Sequence, residues 1–127
     1  MKVIIQENTI IFQQKFKLCT VGRDEFIAVE GDYHGITVHC SQSDFRVSES
    51  MTHVVHELSG LLIRCSQSLA VNPLHIRQIQ CNKVWMKNGQ EFPMSRRMGP
   101  VAVKRYQEFL EIAAKNNCAG HEADGDK

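Results

Sequence analysis

Short β-branched runs separated by polar turns set the pattern of this chain. Val3-Ile4-Ile5 and Ile10-Ile11-Phe12 flank Glu7-Asn8, which predicts a hairpin. Phe26-Ile27-Ala28-Val29 predicts a strand running into a turn-rich loop, Glu30-Gly31-Asp32-Tyr33. Ile36, Val38 and Cys40 alternate with Thr37 and His39, the period of a half-buried strand. Gly31 and Gly35 bracket the intervening loop, where either can take a positive φ. Ser41-Gln42-Ser43-Asp44 reads as a further turn before Phe45-Arg46-Val47.

The period then lengthens. Met51, Val54, Val55 and Leu58 fall on one helical face, so a short helix is predicted over residues 49–58. Ser48 or Ser50 can cap its start and Gly60 its end. Strands return over 61–64, 76–80, 83–86 and 91–94. Asn88-Gly89 joins the last two, and predicts a two-residue type I′ turn. A second helix is predicted from near Pro100, with Val103, Tyr106, Leu110 and Ala113 as its apolar stripe and Phe109 beside it. Residues 116–127 are small and polar and are expected to form an unstructured tail beyond a single domain over 1–115. No internal repeat or linker interrupts that domain. The fold class is mainly β, with short strands and one or two helices.

Charge changes this picture more than composition does. Residues 64–105 hold Arg64, Arg77, Lys83, Lys87, Arg96, Arg97, Lys104 and Arg105 against Glu91 alone, eight minus one or +7. Residues 20–60 hold seven acids against Arg23 and Arg46, or −5, so the near-neutral total of +1 conceals a polar molecule. A concentrated basic segment is the electrostatic footprint of a nucleic-acid binder, because phosphates attract Lys and Arg and release counterions when neutralised. The other reading of that segment is a solvated basic edge.

The 127 residues suit one domain, and 43% apolar content suits a modest core. No run approaches the roughly 18 apolar residues of a membrane span. The first 14 residues alternate without the apolar stretch of a signal peptide, so a cytoplasmic location is expected. Cys19, Cys40, Cys65, Cys81 and Cys118 lack CxxC spacing, which points to reduced thiols rather than a zinc ribbon or disulfide framework. No activated nucleophile, framed carboxylate pair or phosphate-binding loop argues for an enzyme. No cofactor is expected.

Several segments together resemble the LytTR DNA-binding domain of bacterial transcription regulators. They are Phe26-Ile27-Ala28-Val29-Glu30-Gly31-Asp32-Tyr33-His34, His39, Ile63-Arg64-Cys65-Ser66-Gln67-Ser68-Leu69-Ala70-Val71-Asn72, His75-Ile76, Lys87-Asn88-Gly89 and Pro93-Met94-Ser95-Arg96-Arg97. The likeness spans about residues 18–112. It implies an elongated arrangement of short antiparallel sheets with one short internal helix and a C-terminal helix. It also implies double-stranded DNA as partner, bound through loops between strands, with a homodimer on paired direct repeats in promoters. A membrane-bound inhibitor is a further implied partner. The family's common phospho-receiver domain would not fit within this length, so either an excised domain or a stand-alone regulator is expected.

The resemblance assigns roles residue by residue. His34, Gln67 and Arg97 become the base-contacting residues of three loops. A Gln amide suits adenine N6 and N7, and a guanidinium suits guanine O6 and N7. Arg64, Ser66, Ser68, Ser95, Arg96 and Lys104 become phosphate contacts. Ser66 stands where the family often has His. Asn72 is read as structural, its amide bonding backbone before Pro73.

Three other readings compete. His34, His39, Cys40, His53 and His56 supply metal-ligand types without a complete four-ligand spacing, so no metal site is assigned. Cys65 in a DNA-reading loop could serve a cysteine-based redox sensor, which needs a resolving thiol; the position near Phe92 offers none, and Cys81 is the candidate substitute. A protein-interaction module of the same fold that has lost specific DNA binding is the third.

Overall fold

The computed structural model describes residues 1–121. Among them, eleven strands and two helices follow in order. They are β1 (Lys2–Ile5), β2 (Thr9–Gln14), β3 (Lys17–Gly22), β4 (Phe26–Asp32), β5 (Gly35–Cys40), β6 (Phe45–Val47), α1 (Met51–Glu57), β7 (Ile63–Ser66), β8 (Leu69–Val71), β9 (Ile76–Gln80), β10 (Lys83–Met86), β11 (Glu91–Pro93) and α2 (Gly99–His121). A short 3-10 turn at Pro73–His75 precedes β9. Three antiparallel sheets result, ordered β1-β2-β3, β6-β5-β4-β8-β7 and β11-β10-β9. The expected mainly β class, with one short internal helix and a C-terminal helix, is the observed one. The expected tail begins at residue 116; the backbone of α2 instead continues through residues 116–121, and residues 122–127 lie outside the described residues.

The five-stranded sheet lies between the other two. One of its faces joins Val29, Ile36, Val38, Val47 and Ala70 to Ile10, Phe12 and Val21 of the first sheet and to Val54 and Leu58 of α1. The other joins Ala28, Ile63, Cys65, Leu69 and Val71 to Ile76, Val84, Met86 and Phe92 of the third sheet and to Ala102 of α2. This explains why Phe26-Ile27-Ala28-Val29 is an unbroken apolar run, since a strand covered on both faces has no polar side. A register shift between Phe26 and Ala28, opposite Cys40 and His39, turns Ile27 and Ala28 toward the same core.

Two strands, β3 and β8, form where no element was expected, and three turn expectations are corrected. β3 is the longer of the two strands. It is an edge strand whose Leu18 points to solvent, so its alternation is masked. β8 has three residues, all buried, too few for any period. Gly31 does not take a positive φ; Gly35 does, at 138°. Gly60 is not left-handed either, and α1 closes at Leu58, whose N–H donates to Val54 O, while Ser50 caps its start by accepting from His53 N. The β10–β11 loop is not a two-residue turn. Gly89 N donates to Met86 O and Met86 N to Gln90 O, so Lys87, Asn88 and Gly89 form a three-residue loop with Gly89 at positive φ, 97°.

The start of α2 is fixed by close approach. A Cβ on Gly99 would collide with the Cys81 carbonyl in the β9–β10 turn. Ser95 Oγ accepts from Met98 N (3.0 Å), and Gly99 N donates to Ser95 O (2.8 Å), closing the turn that leads into the helix. Tyr106 Oη donates to Ile76 O (3.2 Å), holding α2 against the third sheet.

Candidate nucleic-acid interface

The strand order brings three loops to one end of the central sheet. β4 pairs antiparallel with β8, Glu30 opposite Leu69, and Gly31 N donates to Ser68 O (2.8 Å). The β4–β5 turn carrying His34 therefore lies beside the β7–β8 turn carrying Gln67. Ser95 N donates to Cys65 O (3.1 Å), which lays the segment of Ser95, Arg96 and Arg97 along the outer side of β7 at that same end. His34, Gln67 and Arg97 thus form a row across the sheet's end, all exposed.

Each loop is braced from within. Asp32 Oδ1 accepts from His34 N (2.8 Å) and from Arg46 Nη2 (2.9 Å). The bonded Arg46 guanidinium, followed by the His34 N–H, holds the Asp32 carboxyl below its ordinary range. Beside it, Tyr33 is fully exposed. In the second loop Arg64 Nε donates to Ser66 O (2.7 Å) and Nη2 to Gln67 O (2.6 Å), while Ser66 Oγ accepts from Ser68 N (3.3 Å). Arg64 therefore shapes the loop first. Its remaining N–H groups are what it has left for a phosphate.

The other assigned residues divide. Ser68 and Arg96 are exposed in the loops themselves. Ser95 is partly buried as the cap described above, with its own O–H still free to donate. Lys104 is exposed on α2, four residues beyond the loop-proximal Pro100 and on the side of the helix opposite buried Ala102, and no hydrogen bond ties it to the three loops. Lys83 of the basic segment pairs with Glu91 (3.0 Å) on the third sheet, so part of the +7 is locally neutralised.

Two acids stand close to the row. Asp32 is paired as described. Glu30 Oε1 lies 3.0 Å from His39 Nε2, whose Nδ1 lies 3.0 Å from Asp44 Oδ2. The Arg46 guanidinium on Asp32 limits the repulsion that an approaching phosphate chain would meet there.

Asn72 is structural, as its residue type and position suggested, and more so than expected. Its Oδ1 accepts from Leu74 N (3.1 Å), while Nδ2 donates to Phe26 O (2.7 Å) and Arg23 O (3.2 Å). Cys65 is fully buried, and burial pushes its thiol up to about 12. No second cysteine shares its core cluster. Among the described residues, no group of three or more His, Cys, Asp or Glu could hold a metal ion, and no helix is long and apolar enough to cross a membrane.

Arg105, counted in the basic segment but given no role, shares a cavity with Arg64 and Arg97. The four-residue spacing of 97, 101 and 105 puts it there, but that spacing crosses the start of a helix and reads as a solvated face.

A three-sheet β scaffold with polar and basic loops gathered at one end is the architecture of a DNA-binding domain. The LytTr DNA-binding domain model matches residues 16–105, and the chain belongs to that family. The solved LytTr DNA-binding domain of a putative methyl-accepting/DNA response regulator from Bacillus cereus shares the fold. It aligns with a TM-score of 0.65 and 19% identity, covering 78% of this chain and 96% of that one. No curated protein matches the sequence.

Proposed function

We propose that this domain reads duplex DNA sequence with His34, Gln67 and Arg97 and acts as a bacterial transcription regulator in the cytoplasm. The observation that carries this is the row of three loops, each braced by its own hydrogen bonds, at one end of the central sheet. Adjacent strands lie about 4.8 Å apart, so the first two loops are about 10 Å apart, and the row extends about 15 Å. A span of that size matches a major groove about 12 Å wide together with its flanking backbone. Arg64, Ser66, Ser68, Ser95, Arg96 and Lys104 contact phosphates and set the register, with Arg64 and Ser95 doing so from positions that also shape the loops. A homodimer on direct repeats, governed by a membrane-bound inhibitor or a receiver domain, completes the reading.

The test is binding to duplexes selected from a random pool, followed by alanine variants. Arg97→Ala, Gln67→Ala and His34→Ala should each weaken cognate binding by about 1–3 kcal/mol and relax preference at one base position. Arg96→Ala and Lys104→Ala should weaken cognate and scrambled duplexes alike. Affinity should fall steeply with salt, the logarithmic slope losing about 0.9 for each phosphate contact removed. An Arg97→Ala protein with unchanged discrimination would overturn the assignment.

A further inference from the structure

Beside the loops that carry Gln67 and Arg97, α1, β7 and the start of α2 line a cleft of about 380 Å³. Its lining is apolar at Val55, Leu62, Met98 and Val101, and polar at Ser59 and at three arginines, Arg64, Arg97 and Arg105. No ion pair engages any of these arginines among the described residues. Arg64 is already fixed by its two bonds to the β7–β8 turn, so its charge is held in place rather than floating on a free stem. Like charges gathered without a counter-ion repel one another and favour an anion between them. The volume falls within the roughly 300–1,000 Å³ of small-molecule pockets.

We propose that this cavity binds a small amphipathic anion, a carboxylate carried on an apolar body, and that its occupation draws Arg97 away from DNA. The carboxylate takes the paired N–H groups of Arg97 or Arg105, the geometry in which a guanidinium binds most strongly. The apolar body covers Val55, Leu62, Met98 and Val101, which gain nothing from a phosphodiester. This chemistry separates the site from a DNA backbone contact, for which the same arginines would need no greasy wall. The coupling to DNA rests on the proposed role of Arg97; the binding itself does not.

The experiment titrates the DNA-free domain with 2-naphthoate and with its neutral counterpart 2-naphthamide, by isothermal calorimetry at low salt. Naphthoate should bind saturably and at least about tenfold more tightly than naphthamide, the factor expected of one charge-assisted pair. Arg105→Ala and Val101→Asp should each lower naphthoate affinity by about tenfold or more. Both positions are exposed, so thermal melting should stay near wild type and confirm folding. Equal binding of the two probes, absence of saturable binding, or indifference to Arg105→Ala would overturn the site. Weakened binding to every duplex in Arg105→Ala, with no naphthoate binding by wild type, would assign the arginines to DNA instead. In a second arm, naphthoate should raise the apparent dissociation constant of a selected duplex at least several-fold. Naphthoate binding with unchanged DNA affinity would refute the coupling. Naphthoate binding by a protein that binds no duplex would refute the DNA reading and leave the site standing.

Discussion

Replacing Asn72 with alanine should lower folding stability by about 3 kcal/mol, with little direct effect on base discrimination. The residue is 5% exposed, the one buried polar residue among the described residues. Alanine leaves three backbone groups without their partner. The Phe26 carbonyl loses a 2.7 Å bond in a fully buried setting, and an orphaned buried acceptor costs about 1–3 kcal/mol. The Leu74 N–H loses its 3.1 Å acceptor at a partly buried site, for about 1 kcal/mol more. The Arg23 carbonyl, at 3.2 Å and nearer solvent, adds about 0.5 kcal/mol. Urea unfolding reads the sum. With a slope of about 2 kcal/mol per molar, the midpoint should drop by about 1.5 M with the slope unchanged.

A companion variant checks the donor half of that argument. Asn72→Asp keeps an oxygen for Leu74 N but sets a carboxylate against the Phe26 and Arg23 carbonyls. That environment raises the new carboxyl's pKa in the folded state above its unfolded value. The stability it retains is therefore present at low pH, where the protonated carboxyl can donate, and is lost as pH rises through the raised value. An Asn72→Ala loss under about 1 kcal/mol, or an Asn72→Asp protein equally stable across that range, would refute the reasoning.

Gly35→Ala should destabilise the domain by about 2 kcal/mol, because φ is 138° and the added Cβ would run into the Val47 carbonyl; calorimetric melting measures it. Mild peroxide at neutral pH should leave DNA binding intact and Cys65 unmodified in peptide maps, while exposed Cys81 reacts first; a Cys65 disulfide that abolished binding would reverse this. Asp32, held below the ordinary carboxyl value first by Arg46 and then by the His34 N–H, contributes stability above that ordinary value that is lost as pH falls through the lowered one. NMR titration should show the His34 amide shifting with Asp32 in that acid range, and Arg46→Ala should move the shift to higher pH.

How much of this fold the chain announces depends on whether each signal is local. α1 was legible because four apolar residues on one face need only each other and a core, and Val54 and Leu58 are fully buried there. β4 was legible for the opposite reason, its apolar run having no polar face to show. β3 and β8 were not. Leu18 on an edge strand is apolar and exposed, so it obscures the alternation, and Leu69-Ala70-Val71 is shorter than two periods. Asn88-Gly89 marked the right bend, but a type I′ turn and a three-residue loop both use glycine, and the choice between them is made by the pairing of Met86 with Gln90.

The candidate site divides in the same way. Loops and residue types could be read one by one, since serine, glutamine and arginine beside turns are local facts. Their arrangement in a row could not, because it depends on β4 pairing with β8 and on Ser95 N reaching Cys65 O. Arg64 shows the consequence. Its sequence marks a cation in a basic loop, yet its guanidinium gives two bonds to the carbonyls of Ser66 and Gln67, so what the structure shows it doing is shaping the turn. Asn72 extends that logic, since its amide ties the end of β8 to the entry of β4, the two strands whose far ends carry Gln67 and His34. A residue outside the loops can therefore set the distance between the two proposed readers, and the pairing it protects is the part of the site that no local motif records.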